Sequence, residues 1–199
     1  MDRDVVESGI RMRYKDKEDR IDSRQYLDKM VQIPFHVPPL SLASIKSFLA
    51  DWFTNNAADM LSSAAPVISA AVERNPRSLK RTLNVLLVTH NLIALDENGQ
   101  SCQSEPDSVC RLAKLVVIQT NYEAVHREMV AHPILIRDME KLARQNGKHQ
   151  LLDENPRLSE MLRVKEGAFA ETSSSDIAKL VFMVSLSGGA PPADLVANS

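Results

Sequence analysis

The pair Asn75-Pro76 constrains the fold more than any other short segment, because it fixes where a long helix begins. An asparagine at the N-cap accepts hydrogen bonds from backbone N–H groups of the first turn. A proline at the first helical position loses no hydrogen bond, since that N–H has no partner inside a helix. Apolar residues then follow at helical spacing: Leu79, Leu83, Leu86 and Leu87. The pattern predicts a helix from Pro76 to about Ala94 with one buried face.

A polar stripe lies beside that buried face. Arg77, Arg81 and Asn84 stand at positions i, i+4 and i+7, so a helix places them on one side. A guanidinium held by a packed helix can meet a phosphate in fixed geometry. The same pattern is also typical of a capped helix with a solvated basic face, and the segment alone leaves both interpretations open.

Helical patterns dominate the chain after Pro39. Ser41 is the expected cap of the first helix, and Pro66 is expected to kink or divide the segment from residue 57 to 74. Asp107 or Ser108 is expected to cap a long helix that runs through Tyr122 and Val125. We expect a further helix to start at Pro133 and end near Gly147. Two more follow, one after a second Asn-Pro-Arg capping segment at residues 155–157 and one opened by Ser175 or Asp176.

The segment before these helices is different. Three prolines in Ile33-Pro34-Phe35-His36-Val37-Pro38-Pro39 forbid a helix and favour extended or polyproline backbone. No alternation of strands and helices is visible, which argues against a parallel sheet. The sequence therefore predicts a mainly α protein, with residues 1–40 as a short head and extended connector. Residues 41–187 form the expected helical domain, and residues 188–199 a disordered tail.

Composition limits the possible partners and compartments. The net charge is −2 with five phenylalanines, three tyrosines and one tryptophan, so neither a basic field nor a base-stacking surface indicates nucleic acid. The sequence has two cysteines, Cys102 and Cys110, which is too few for a disulfide framework. This predicts a protein of the reducing cytoplasm. No signal peptide pattern or apolar run of membrane-spanning length is present.

Searches for a complete active site fail. Gly147-Lys148 is followed by His149, and Leu142 stands where a phosphate loop needs its first glycine. His126 and His132 are six residues apart and do not form the metal pair of a metalloprotease helix. We therefore predict no metal ligands in this chain.

Three segments in order resemble the KAP family of P-loop NTPases. Residues 1–10 (MDRDVVESGI) are similar to the segment after that family's sensor-1 strand, and residues 26–39 (YLDKMVQIPFHVPP) to its connector. Residues 75–84 (NPRSLKRTLN) resemble its lid helix, and the resemblance extends to about Val130. It implies the C-terminal half of an AAA-like ATPase, with a remnant of the nucleotide core at residues 1–40 and a helical lid at residues 41–187.

By this resemblance Arg77 occupies the sensor-2 position and contacts the γ-phosphate from the lid, with Arg81 as second choice and Asn84 as a further nucleotide-binding residue. ATP and Mg²⁺ are the cofactors of the parent protein. The phosphate loop and the magnesium-binding segment precede sensor 1 in the family and do not occur in this sequence. We therefore expect a truncated product, an internally initiated product or an excised fragment that neither binds ATP tightly nor hydrolyses it alone.

The expected partner is the missing N-terminal NTPase half or another subunit, and any membrane association is expected to come from other parts of the parent. The alternative is a non-catalytic helical protein-interaction module. Nucleic-acid binding through Arg77, Lys80 and Arg81 is a third hypothesis, which the acidic charge balance disfavours.

Overall fold

A computed structural model describes residues 8–9, 12, 40–71, 75–96 and 105–187 of the chain. Backbone contacts divide the chain into two units, Met1–Pro38 and Pro39–Ser199. In the first unit the described residues, Ser8, Gly9 and Met12, are helical. The predictions for the proline connector at residues 33–39 and for the tail at residues 188–199 lie outside the described residues.

The second unit is a bundle of helices. In chain order they are α1 (Leu42–Asn55), a 3₁₀ helix (Asp59–Ala64), α2 (Ala65–Ala71), α3 (Pro76–Asp96), α4 (Pro106–Asn121), α5 (Glu123–Ala131), α6 (Leu135–Arg144), α7 (Gln150–Glu154), α8 (Pro156–Arg163) and α9 (Ser174–Ser187). Within the described ranges no residue is in a strand. The prediction of a mainly α fold is confirmed.

Helix α4 forms the centre of the bundle. It contacts the 3₁₀ helix and five other helices, namely α2, α3, α5, α8 and α9. From Val109 to Ile118 every residue except Arg111 is buried, and all the buried residues except Lys114 are apolar, so almost the whole circumference of this helix is packed against protein. A helix of that kind is stable only inside a protein core, and the amphipathic helices around it supply that core.

Two predicted helix starts are confirmed by their capping hydrogen bonds. The Oγ of Ser41 accepts from the backbone N–H of Ser44 at 3.0 Å, and Asn75 begins α3 as expected. The segment around Pro66 is indeed divided, into the 3₁₀ helix and α2. Its first half is 3₁₀ rather than α-helical.

The long helix predicted through Val125 is wrong. Tyr122, with φ −133° and ψ 66°, separates α4 from α5. Its hydroxyl donates to the carbonyl oxygen of Ala71 at 2.9 Å, a contact between residues far apart in sequence. The apolar spacing continues across the break, so the pattern alone does not reveal it.

The predicted cap of α4 is also wrong. Helix α4 begins at Pro106 after Glu105, and the Glu105 side chain makes no capping hydrogen bond. Asp107 instead accepts from the backbone N–H of Gly167 at 3.0 Å, and Ser108 accepts from Arg111. Both side chains serve tertiary or side-chain contacts rather than the end of their own helix.

Two other helix starts are displaced. Helix α6 begins at Leu135, two residues after Pro133, and α9 begins at Ser174. The Oγ of Ser173 accepts from the N–H of Asp176 at 3.1 Å, so Ser173 fills the capping role predicted for Ser175 or Asp176. The predicted stop near Gly147 is confirmed, since α6 ends at Arg144 and the Gly147 N–H bonds the Leu142 carbonyl.

The second Asn-Pro-Arg segment behaves differently from the first. Helix α8 starts at Pro156 as predicted, but the side chain of Asn155 makes no capping bond to it. Asn155 stands at the C-terminal end of α7, and its Nδ2 group instead donates to the carbonyl oxygen of Leu151 in that helix at 2.9 Å. The predicted cap is therefore wrong, and the reason is that a preceding helix end competes for the same side chain.

Candidate functional site

The N-terminal half of α3 carries the three predicted site residues, Arg77, Arg81 and Asn84. The Oδ1 of Asn75 accepts from the backbone N–H of Arg77 at 3.0 Å, which fixes the first turn. Arg77, Arg81 and Asn84 are all exposed. They stand at helical spacing on α3, so the structure places the three together as one polar stripe on its solvent side.

A half-buried polar network lies on the other side of the same turns. The hydroxyl of Ser78 donates to the Oδ1 of Asn121 at 2.6 Å, and the hydroxyls of Thr82 and Thr120 are 3.0 Å apart. The Nδ2 of Asn121 donates to Thr82 at 3.1 Å and to Thr120 at 2.8 Å. These hydrogen bonds fix the position of α3 relative to α4 at the same helical turns that carry Arg77 and Arg81.

Apolar packing completes the attachment of α3. Leu79, Leu83 and Leu86 are buried, while Leu87 is half-buried. Burying a leucine side chain contributes roughly 1.5–3 kcal/mol, so rotation of α3 about its axis would expose these residues at high cost. The arginine stripe is consequently held in a fixed direction.

A shallow cleft of about 550 Å³ lies beside the start of α3. It is lined by Leu40, Ala43, Ser44, Ser47, Phe48, Asp51 and Pro76. Neither Arg77 nor Arg81 lines it. Both side chains are exposed instead.

Metal binding has no support in the described part of the chain. Those residues contain no group of three or more histidine, cysteine, aspartate or glutamate side chains arranged to hold a metal ion. Cys110 is buried, and its thiol donates to the carbonyl oxygen of Ser63 at 3.1 Å. Burial raises the pKa of the Cys110 thiol, which disfavours the thiolate that a metal would need.

One unusual residue on α3 escaped the sequence reasoning. His90 follows Leu86 by four residues and precedes Ile93 by three, so it belongs to the buried stripe of the helix. It is 5% exposed. The available signal was a histidine on an otherwise apolar helix face, which alone is more often a packed core residue than a ligand.

Comparison with known proteins assigns the first part of the chain. Residues 1–93 match the model of the KAP family P-loop domain. The predicted resemblance to the KAP family of P-loop NTPases is confirmed over these residues. The match ends within α3, after the arginine stripe and before residue 130, to which we expected the resemblance to extend.

No curated protein and no solved structure matches the chain. The segments 1–10 and 26–39, which carry much of the resemblance, lie outside the described residues apart from Ser8 and Gly9. Among the described helices, none combines the length and apolarity required to cross a membrane.

Proposed function

We propose that residues 41–187 act as the helical lid of a KAP-type P-loop ATPase, with Arg77 as its phosphate-sensing arginine. In this role the lid closes over ATP bound by a nucleotide core, and Arg77 approaches the γ-phosphate. A cation at that place stabilises the charge on the transferring phosphoryl oxygens. Arg81, one turn further along α3, is the second candidate, and Asn84 would contact the nucleotide beside them.

The main support for this proposal is that Arg77 is exposed on a helix that packing holds in a fixed orientation. It lies on the first turn of a helix that Asn75 caps, within the segment that matches the KAP family. The half-buried hydrogen bonds that join Ser78 and Thr82 to α4 hold the other side of the same turns. A side chain that must reach a ligand only on lid closure needs this combination of a free surface and a rigid base.

Arg77 and Arg81 do not line the cleft beside the start of α3, which agrees with a site completed by a second surface. We propose that the phosphate loop and Mg²⁺ are supplied by the nucleotide core of the parent protein or of another subunit. The chain alone is then expected to bind Mg-ATP weakly and to hydrolyse none. We further propose a cytoplasmic location, with any membrane association provided by other parts of the parent.

The test combines calorimetry with a hydrolysis assay. Mg-ATP is titrated into the purified chain alone, and turnover is then measured after adding a KAP-family nucleotide core as a separate polypeptide or by fusion. Arg77→Ala is expected to lower turnover of the completed enzyme by about 10²-fold. Arg77→Lys should recover only part of it, since an ammonium lacks the planar fork of a guanidinium.

Arg157→Ala is the matched control, because Arg157 stands in the other Asn-Pro-Arg segment, outside the KAP match. It should leave turnover unchanged. Equal activities of wild type and Arg77→Ala would refute the role of Arg77. Micromolar ATP binding by the chain alone, undiminished in Arg77→Ala, would refute the lid proposal itself.

A non-catalytic interaction module is the second candidate function. Large apolar side chains are exposed in pairs one turn apart on two helices, Val88 and Leu92 on α3 and Phe182 and Leu186 on α9, each 46–56% exposed. Such side chains favour contact with another protein. If turnover is insensitive to Arg77 while Phe182→Ser abolishes association with the nucleotide core, this second function is the correct one.

A further inference from the structure

A cleft of about 390 Å³ lies at the other end of α3, where α3, the start of α4 and α9 meet. Its wall is largely apolar, formed by Ile93, Val109, Leu112, Leu180 and Met183. Its polar lining consists of His90, Ser108, Arg111, Thr172, Asp176 and Lys179. An apolar wall with a few polar groups is the usual composition of a small-molecule site.

His90 is the residue that points to a ligand. Its side chain lines the cleft and is only 5% exposed. Among the described residues neither ring nitrogen, Nδ1 or Nε2, has a hydrogen-bond partner. Buried polar groups are nearly always paired, because leaving one unpaired costs its full desolvation. A ligand in the cleft that accepts a hydrogen bond from the ring would remove this cost.

The charged groups of the cleft indicate which ligand fits. Arg111, half-buried at the start of α4, donates from Nη2 to the hydroxyl of Ser108 at 3.0 Å. Asp176 accepts from the hydroxyl of Ser173 at 2.6 Å and lies in the first turn of α9, where the helix dipole favours a carboxylate. Lys179 also lines the cleft. Because Asp176 is engaged at its own helix terminus, the guanidinium of Arg111 and a ring N–H of His90 are the donors that can meet an anion here.

We propose that this cleft binds a small apolar molecule bearing one carboxylate. The apolar body lies against the wall that includes Leu112 and Leu180. The carboxylate accepts charge-assisted hydrogen bonds from the guanidinium of Arg111 and a hydrogen bond from the ring N–H of His90. At a rise of 1.5 Å per residue, His90 is roughly 20 Å along α3 from Arg77, so this site is separate from the arginine stripe and does not depend on its function.

The test follows the ring resonances of His90 by ¹H–¹³C NMR during titration with 4-phenylbutyrate and, separately, octanoate. The chain has five histidines, and His90→Leu assigns the signal. We expect a saturable shift of the His90 resonances with a Kd below about 1 mM for at least one of the two probes. The neutral analogue 4-phenylbutan-1-ol should bind about tenfold more weakly than 4-phenylbutyrate.

Variants separate binding from folding. Arg111→Gln should weaken binding about tenfold, and Leu180→Trp should abolish it by filling the cleft. His90→Leu should weaken binding similarly while leaving the melting temperature of the free protein unchanged or raised, because it removes an unpaired buried polar group. Binding to these variants is followed by methyl resonances. Arg127→Ala, an exposed arginine that does not line the cleft, is the control and should bind as the wild type does.

Three results would overturn the proposal. One is a folded wild-type protein whose His90 signals show no saturable change with either probe. Another is equal affinity for 4-phenylbutyrate in wild type, Arg111→Gln and Leu180→Trp. The last is a marked loss of stability in His90→Leu, which would show that the imidazole is already satisfied in the free protein.

Discussion

Lys114 and Glu140 form an ion pair in the interior of the bundle, with Lys114 Nζ 2.7 Å from Glu140 Oε1 and side chains 0% and 3% exposed. The ammonium also donates to the carbonyl oxygens of Val164 and Gly167. The second carboxylate oxygen accepts from the N–H of Phe169 at 2.8 Å. The pair thereby joins α4 and α6 to the loop between α8 and α9, a segment without helical hydrogen bonds of its own.

Replacing Lys114 alone should be strongly destabilising. Burial lowers the pKa of Lys114, and its bond to Glu140 opposes that shift. Lys114→Met leaves the buried Glu140 with the more distant Arg144, at 3.4 Å, as its charged partner. It also removes the ammonium donor from the carbonyl oxygens of Val164 and Gly167. We therefore expect a loss of about 3–5 kcal/mol in the free energy of unfolding. Urea denaturation followed by circular dichroism measures it.

The double variant Lys114→Met, Glu140→Leu should lose less than the sum of the two single changes, because no lone charge stays buried. Arg127→Ala is the control, since its pair with Glu123 is exposed and exposed pairs contribute little. Strict additivity would show that the two buried side chains act independently.

Gly167 should not tolerate alanine. Its φ is +65°, and an added Cβ would lie 2.5 Å from the backbone nitrogen of Arg111 and 2.6 Å from the Cβ of Cys110. Both the backbone angle and the contact with α4 oppose a side chain, so Gly167→Ala should cost about 2 kcal/mol or more. A thermal melt provides the measurement.

Gly147→Ala is a suitable comparison for that variant. Its Cβ would come closest to the flexible end of the Leu142 side chain, at 2.8 Å, while the Leu142 backbone would lie at 3.5 Å or more. It should therefore cost well under half as much. If both glycines tolerate alanine equally, the close packing of Gly167 on α4 is not required for stability.

Asn75 and Asn155 should respond differently to aspartate. Asn75 acts as an acceptor for the N–H of Arg77, and a carboxylate preserves that role, so Asn75→Asp should leave stability within about 0.5 kcal/mol, whereas Asn75→Ala costs about 1 kcal/mol. Asn155 acts as a donor to Leu151. Asn155→Asp removes the donor and should destabilise by about 1 kcal/mol.

Chemical denaturation at neutral pH measures the free energy of unfolding of the wild type and of the three variants. If Asn155→Asp costs as little stability as Asn75→Asp, the side chain of Asn155 acts as an acceptor that caps α8. The comparison uses one tripeptide at two positions, so helix propensity and the following proline are the same in both.

His126 should make the protein less stable in mild acid. Burial lowers the pKa of its imidazole below the ordinary value of 6.5, and its Nε2 lies 3.4 Å from the hydroxyl of Ser185. As the pH falls below 6.5 the unfolded chain takes up this proton before the folded one does, so the free energy of unfolding decreases until the folded pKa is passed.

The His126→Gln variant should show a flatter decrease over the same pH window. Urea titrations of both proteins at several pH values between neutral and mildly acidic test this. Parallel curves for wild type and variant would exclude His126 as a source of the pH dependence.

Cys110 should be protected from thiol reagents in the folded protein. It is 1% exposed, and burial raises its pKa, so little thiolate is available. In a Cys102→Ser background, reaction with a disulfide reagent at neutral pH should be slow and should accelerate as urea unfolds the bundle. Fast reaction without urea would show that the 3₁₀ helix and α4 separate readily.

Much of the fold follows from local pattern, and the missed parts have a common cause. The starts of α1, α3 and α8 were predicted because a cap residue or a proline at the first position is a local signal. The break at Tyr122 was not, because it depends on a hydrogen bond to Ala71, a residue far away in the chain.

The arginine stripe was fully predictable as geometry, because helical periodicity alone brings Arg77, Arg81 and Asn84 to one side. The cleft at His90 was not, since it is formed by α3, α4 and α9, whose packing no short pattern specifies. The comparison with known proteins confirmed the KAP family segment, and the phosphate-sensing role of Arg77 stays a prediction.

The sequence by itself determined that this protein is helical, where α1, α3 and α8 begin, and which family its first part resembles, because these depend on residue type and spacing within a few turns. Only the tertiary structure decided which polar side chains cap helices and which join distant segments. Asn75 and Asn155 are both followed by Pro-Arg, yet the side chain of Asn75 accepts a hydrogen bond and that of Asn155 donates one. Nothing in the sequence distinguishes Lys114 from other lysines. The fold buries it and places acceptors from Glu140, Val164 and Gly167 around its ammonium group.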